Sequence, residues 1–188
     1  MKNKNIILLI LCIFALSCKA QTFPLRTYQE LPENSYLKDT NNELPTYEGT
    51  WKGTWNNKII YVTFKKLEHS YIDTFKAYRD VLIAKFKVTD LNGNILFDNN
   101  NLSDENAKIE GVGRFRKKDD KYGFTYVDQD LCNRSGIILI NFTDSTKTKL
   151  QWSYSQDENF IEPDCFYYSY APQNYPQPLP NNIVLIKQ

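Results

Sequence analysis

From Thr50 to Lys187, apolar and polar residues alternate with a period of two in one short segment after another. Trp51 and Trp55 flank Gly53 in the first. After Asn56-Asn57 the pattern resumes over residues 58–66. Leu82, Ala84, Phe86 and Val88 alternate with Lys85, Lys87 and Thr89. Weaker or shorter runs follow at 95–97, 108–116 and 122–127. Ile138, Ile140 and Phe142 then alternate with Asn141 and Thr143, and Leu150, Trp152 and Tyr154 with Gln151 and Ser153. Residues 183–187 form the last run. Period two places successive side chains on opposite faces of a strand. The pattern predicts about nine strands with one apolar and one wet face, and no helix. Short polar turns between the runs make the expected fold all-β, an antiparallel meander closed into a barrel or folded as a sandwich.

Two connections interrupt the meander. Residues 67–79 are polar and aromatic, and predict a long hairpin loop or a short helix. Residues 155–180 contain Cys165, the cluster Phe166-Tyr167-Tyr168 and four prolines from Pro172 to Pro180; a disulfide would pin the first half near Cys132, and the proline stretch predicts an extended segment packed on the barrel wall. Asn92-Gly93 is the strongest hairpin signal. The surrounding Asp90-Leu91-Asn92-Gly93-Asn94 superficially resembles a calcium loop. Ile95 and Asn101 occupy the positions where an EF-hand needs Gly and Glu, so the turn reading suffices.

Ahead of the meander, residues 19–47 hold Pro24, Pro32 and Pro45, many polar residues and no sustained period. Such a segment reads as a tether that reaches roughly 95 Å when extended. Leu25, Tyr28, Leu31, Tyr36 and Leu37 give it the means to dock on the domain, so partial order is expected. Before it, Lys2 and Lys4 precede an apolar run from Ile6 to Leu16. A helix of that length rises roughly 16 Å, half of what a membrane span needs. The start resembles the signal peptide of a bacterial lipoprotein, with Ala15-Leu16-Ser17 as lipobox and Cys18 as the lipidated residue. This divides the chain into 1–17 signal peptide, 18–47 lipidated tether and 48–188 single β domain. The expected location is the bacterial cell envelope, lipid-anchored and facing the periplasm, with the membrane itself as a partner through the anchor.

Composition narrows the reading. Without Lys2 and Lys4, the 23 basic residues fall to 21 against 22 acids, which gives no electrostatic case for nucleic acid. Of the 4 cysteines, Cys12 leaves with the signal peptide and Cys18 carries lipid. Cys132 and Cys165 remain, and in an oxidising compartment they are expected to form a disulfide.

Candidate chemistry is sparse. His69 is the only histidine and lies in a polar stretch without a nucleophile elbow, which reads as a solvated loop residue. One histidine and no spare thiol argue against a zinc site. No metal, cofactor or catalytic residue is expected. Among the acids Glu110, beside Val112, comes closest to an acid on an apolar strand face, where a raised pKa would suit hydrolysis. Trp51, Trp55, Tyr126, Trp152 and Tyr154 are candidate lining residues of a cavity inside a barrel. They are equally what a filled core would contain.

Tyr47-Glu48-Gly49-Thr50-Trp51-Lys52-Gly53-Thr54-Trp55 resembles the Gly-x-Trp opening strand of lipocalin-like barrels. A closer resemblance spans nearly the whole chain. It is carried by Ser17-Cys18-Lys19-Ala20-Gln21, Tyr36-Leu37-Lys38-Asp39, Asn42-Glu43-Leu44-Pro45, Gly49-Thr50-Trp51-Lys52-Gly53-Thr54-Trp55, Asp130-Leu131-Cys132-Asn133-Arg134 and Asp164-Cys165-Phe166-Tyr167-Tyr168. These pieces are similar to DUF6705, a family of small Gram-negative lipoproteins of unknown function. The resemblance implies an envelope lipoprotein and transfers no functional residue. The expected role is a non-catalytic binding or accessory domain with an unidentified protein or small-molecule partner in the envelope. A lipocalin-like carrier of a small apolar ligand and a carboxylate-dependent hydrolase are the alternatives.

Overall fold

Nine strands follow from the alternating runs in a computed structural model of the chain, which describes residues 21–158 and 161–188. They are β3 (Gly49–Trp55), β4 (Lys58–Ile72), β5 (Ala77–Asp90), β6 (Ile95–Asp98), β7 (Ile109–Phe115), β8 (Tyr122–Asp128), β9 (Arg134–Phe142), β10 (Lys149–Gln156) and β11 (Asn182–Lys187). Two short strands precede them, β1 (Thr22–Pro24) and β2 (Tyr36–Lys38). All strands but β1, β2 and β6 form an antiparallel barrel in chain order. It closes where β11 pairs β3 and β5 pairs β7. The signal peptide and Cys18 lie outside the described residues.

The turns are those that the sequence demands. Asn56 and Asn57 both take positive φ, at 43° and 61°, the geometry of a two-residue hairpin turn. Asp90 Oδ1 accepts from the amides of Asn92 and Asn94, at 2.8 and 2.9 Å, which explains the acidic turn as a turn. The expected loop at 67–79 is mostly strand: β4 and β5 run on past the barrel as a two-stranded arm, kinked by a register shift between Leu67 and Ser70. A single 3-10 turn, Asp73–Phe75, caps the arm.

Inward residues of the barrel make one core. Trp51, Ile60, Val62, Tyr122, Phe124, Tyr126, Ile138, Ile140, Leu150 and Trp152 are all without exposure. Their aromatic rings meet edge to face or tilted, as in Tyr122–Phe124 at 5.0 Å and Tyr126–Tyr154 at 5.8 Å between centroids. Gly53 belongs to this packing. A Cβ there would lie 2.6 Å from Ile183 Cδ1 and 2.7 Å from Leu185 Cδ2. The space left by Gly53 between the two tryptophans of β3 is therefore filled from β11, its neighbour in the wall.

Each end of the barrel is covered by a segment outside the meander. At one end, Leu25, Leu37, Leu44 and Tyr47 of the N-terminal segment join the core, and the Trp51 indole N–H donates to the Tyr47 carbonyl at 2.8 Å. At the other, Leu179 joins it, and the Trp152 indole N–H donates to the Pro180 carbonyl at 3.0 Å. The disulfide Cys132–Cys165, with Cα atoms 5.7 Å apart, fastens this second cover to the β8–β9 connection.

Candidate functional site

At the first end, β5 leaves β7. Only Ile83↔Glu110 and Ala84↔Ile109 pair across that seam. N-terminal to Ile83, the β5 edge binds β2 instead, in parallel register Tyr36↔Tyr78 and Leu37↔Arg79. On the other side β7 breaks register with β8 between Gly111 and Phe115, and Gly113 takes φ 73°. The two strands thus splay apart, and a cleft of about 610 Å³ opens outside the barrel. Its walls are Tyr28, Leu31 and Leu37 of the N-terminal segment, Ile72, Phe75 and Lys76 of the arm tip, and Arg79, Val112 and Arg114 at the splay. Glu30 and Glu33 stand at the rim. Phe75 is 66% exposed and Tyr28 42%, unusual for large apolar side chains that line one concavity.

The charges of the cleft are unevenly satisfied. Lys76 pairs Glu33 at 3.2 Å and Arg79 Nη2 pairs Glu110 at 2.7 Å. Arg79 Nε is buried without a hydrogen-bond partner. Arg114 is half-buried and makes neither a hydrogen bond nor an ion pair among the described residues. Burial alone pushes its pKa down, because nothing compensates the lost hydration of the cation. Gly113 permits this arrangement: a Cβ there would sit 2.6 Å from Arg79 Cδ.

Beside the cleft lies a second charged group that is fully satisfied. Asp80 continues the inward register of Leu82, Ala84, Phe86 and Val88 and is completely buried. It accepts from Tyr36 Oη at 2.5 Å, from the Asp39 amide at 2.9 Å and from the His69 amide at 3.1 Å. Asp39 in turn accepts from the amides of Glu43 and Leu44 at 2.8 and 2.9 Å. Lys66 Nζ lies 3.6 Å from Asp80, 3.8 Å from Asp39 and 3.0 Å from Glu68. Burial, the largest single influence, pushes the Asp80 carboxyl up. Its hydrogen bonds and Lys66 together outweigh burial and hold it below the usual carboxylate range. An acid held ionised by three donors is a latch for the N-terminal segment rather than a proton donor.

Glu110, singled out among the acids from the sequence, is exposed and paired with Arg79. The acid on an apolar strand face is Asp80. It is missed when β5 is taken to begin at Leu82, five residues after its true start at Ala77. His69 sits at the kink of the arm with φ 55°, its ring stacked on Tyr78 at 4.1 Å and edge-on to Tyr36 at 4.7 Å. Trp51, Trp152, Tyr126 and Tyr154 lie in the core and Trp55 packs against it; none of the five lines the cleft. A second concavity of about 580 Å³ flanks the disulfide and is lined by Asp130, Glu158, Glu162, Asp164 and Phe166 among others. Among the described residues no group of three or more His, Cys, Asp or Glu is placed to hold a metal ion. Arg134 also has an unpartnered nitrogen, but it lines neither concavity.

Fold and site together define a closed, aromatic-cored antiparallel barrel with a cleft on its outer face. A profile for a family of unknown function (DUF6705) matches residues 1–188, and the chain belongs to that family. No curated protein and no solved structure matches it.

Proposed function

We propose that the protein is a non-catalytic binding domain of the bacterial envelope, anchored by lipid at Cys18, whose ligand site is the external cleft and not the barrel interior. The observation that carries this reading is the contrast in packing. Inward residues of the barrel, aromatic and aliphatic alike, are packed and unexposed, whereas the cleft keeps large apolar side chains and a half-buried cation, unpaired among the described residues, at the solvent. Its volume falls within the range of about 300–1,000 Å³ usual for small-molecule sites. The satisfied state of Asp80 supports a binding role over carboxylate-dependent hydrolysis.

The docked N-terminal segment shortens the leash. With β1 beginning at Thr22, only residues 19–21 separate Cys18 from folded chain. Four peptide steps span at most roughly 14 Å. A lipidated Cys18 therefore holds the barrel close against the membrane, instead of at the end of the 95 Å tether that the sequence suggests.

Native mass spectrometry of protein taken from its own envelope tests the reading. Wild type should carry a co-purifying small molecule, and Val112→Trp, which fills the cleft from its exposed wall, should lose it. An adduct retained by Val112→Trp contradicts the assignment to the cleft. For the anchor, Cys18→Ser should move the protein to the soluble fraction; unchanged partitioning with membranes contradicts it.

A further inference from the structure

We propose that the cleft takes a free carboxylic acid with an alkyl chain, a ligand of the fatty-acid class, with Arg114 reading the carboxylate and Arg79, which lines the same space, adding positive charge beside it. The proposal rests on the assignment of the cleft as the ligand site and adds the chemistry of what enters it. Three observations lead there.

First, the walls are apolar where they are open. Phe75, Tyr28, Val112 and Ile72 surround the space, and the first three are strongly exposed. An alkyl chain laid against them removes apolar surface from water on both sides. Second, the charges within reach leave one cation over. Lys76 and Arg79 have their acids in Glu33 and Glu110. Arg114 has none, and is partly desolvated by the walls around it. Its nitrogens still reach water, and a carboxylate offers them a forked, charge-assisted pair that water does not. Third, Arg79 Nε is a buried donor without an acceptor, in a side chain that lines the same space. A guanidinium without an acid of its own, beside apolar walls, selects a ligand that is anionic at one end and greasy along its length.

Glu30 is the one acid at the rim that makes no ion pair among the described residues. It is exposed, so solvent screens it, and it would repel an incoming carboxylate. A phospholipid headgroup offers the same charge but brings two chains. A cleft of about 610 Å³ with a single spare cation favours one chain and one negative charge.

Isothermal titration with decanoate and with decanol, on the exported chain made soluble by Cys18→Ser, separates charge from grease. Decanoate should bind wild type roughly tenfold or more tightly than decanol, the difference a charge-assisted pair supplies. Arg114→Gln should bring the two to similar affinity, with the larger loss on decanoate. Glu30→Gln should tighten decanoate binding. Thermal unfolding guards the variant: Arg114→Gln should be as stable as wild type or more so, since it removes an uncompensated charge. If decanoate and decanol bind wild type equally, or Glu30→Gln weakens decanoate, the carboxylate reading is overturned and the cleft remains a binding site for neutral apolar ligands. If neither binds, the cleft assignment fails as well. If phosphatidylglycerol vesicles bind in an Arg114-dependent way and decanoate does not, the charge is used to dock on lipid and the free-acid ligand is wrong.

Discussion

Two charged groups sit at the same end of the barrel, against the same N-terminal segment, and they are finished to different degrees. Around Asp80 every acceptor is used: a tyrosine hydroxyl, two amides and Lys66 surround one carboxylate. Arg114 makes no hydrogen bond or ion pair among the described residues, and its nitrogens keep to water although its side chain is partly taken out of it. Buried polar groups are normally paired, because leaving one unpaired costs about 1–3 kcal/mol, and more for a charge. A satisfied cluster therefore holds the fold together, and an unsatisfied one points outward to something that completes it. The same contrast separates the barrel interior, packed with rings, from the cleft, where rings face solvent.

The largest effects should fall on the finished side. Trp152→Ala empties a core position and frees the Pro180 carbonyl, and should destabilise by about 3–5 kcal/mol in denaturant unfolding. At concentrations of denaturant where the variant is folded, decanoate affinity should stay as in wild type; a parallel loss of affinity would place the ligand in the barrel. Asp80→Ala strips Tyr36, Asp39 and His69 of their acceptor and Lys66 of a counter-charge, and should cost about 3–5 kcal/mol. Because the N-terminal segment forms one wall of the cleft, this variant should also weaken binding, unlike Trp152→Ala. The comparison breaks if Asp80→Ala changes stability by less than a surface substitution does.

Acid provides a related test. The folded pKa of Asp80 lies below its ordinary value near 3.8. Its contribution to stability is then complete above that value and is lost as pH falls through and below it. Wild type should lose stability more steeply below about pH 4 than Asp80→Ala does. Equal slopes would mean that Asp80 is not held ionised by its partners.

Removing the disulfide should come next in size. It closes a sequence separation of 33, for which chain entropy gives about 3–4 kcal/mol. Cys132→Ser/Cys165→Ser should lower the melting temperature and leave decanoate binding unchanged, because the bridge lies at the opposite end from the cleft. Arg114→Gln should have the smallest effect on stability, within about 0.5 kcal/mol of wild type or slightly above it. An arginine that makes no hydrogen bond or ion pair among the described residues but is needed for binding is what the unfinished side predicts.

Much of this architecture is written locally. Nine strands, the Asn56-Asn57 and Asn92-Gly93 turns and the Cys132–Cys165 pair follow from period, turn chemistry and cysteine count, all short-range signals. Strands β1 and β2 escape such reading because three residues carry no period; they exist only because β5 offers an edge where it leaves β7. The arm at 67–79 escapes because its kink puts two polar residues where alternation would break. Asp80 is legible in principle, since it extends the Leu82–Val88 alternation by one step. The cleft is not. It needs Tyr28, Phe75 and Arg114 together, from three segments whose meeting is fixed by barrel closure. The absence of a partner for Arg114 is a property of that meeting and of no local sequence.

Amide chemical shifts of the isotopically labelled exported chain, made soluble by Cys18→Ser and followed by NMR during titration with decanoate, test the central claim most directly. If the barrel is a filled scaffold and the cleft the ligand site, the shifts should concentrate at Tyr28, Phe75, Lys76, Val112 and Arg114, with Trp51, Tyr126 and Trp152 unmoved. Saturable shifts at Trp51, Tyr126 and Trp152, with the cleft residues still, would put the ligand inside the barrel and contradict the account.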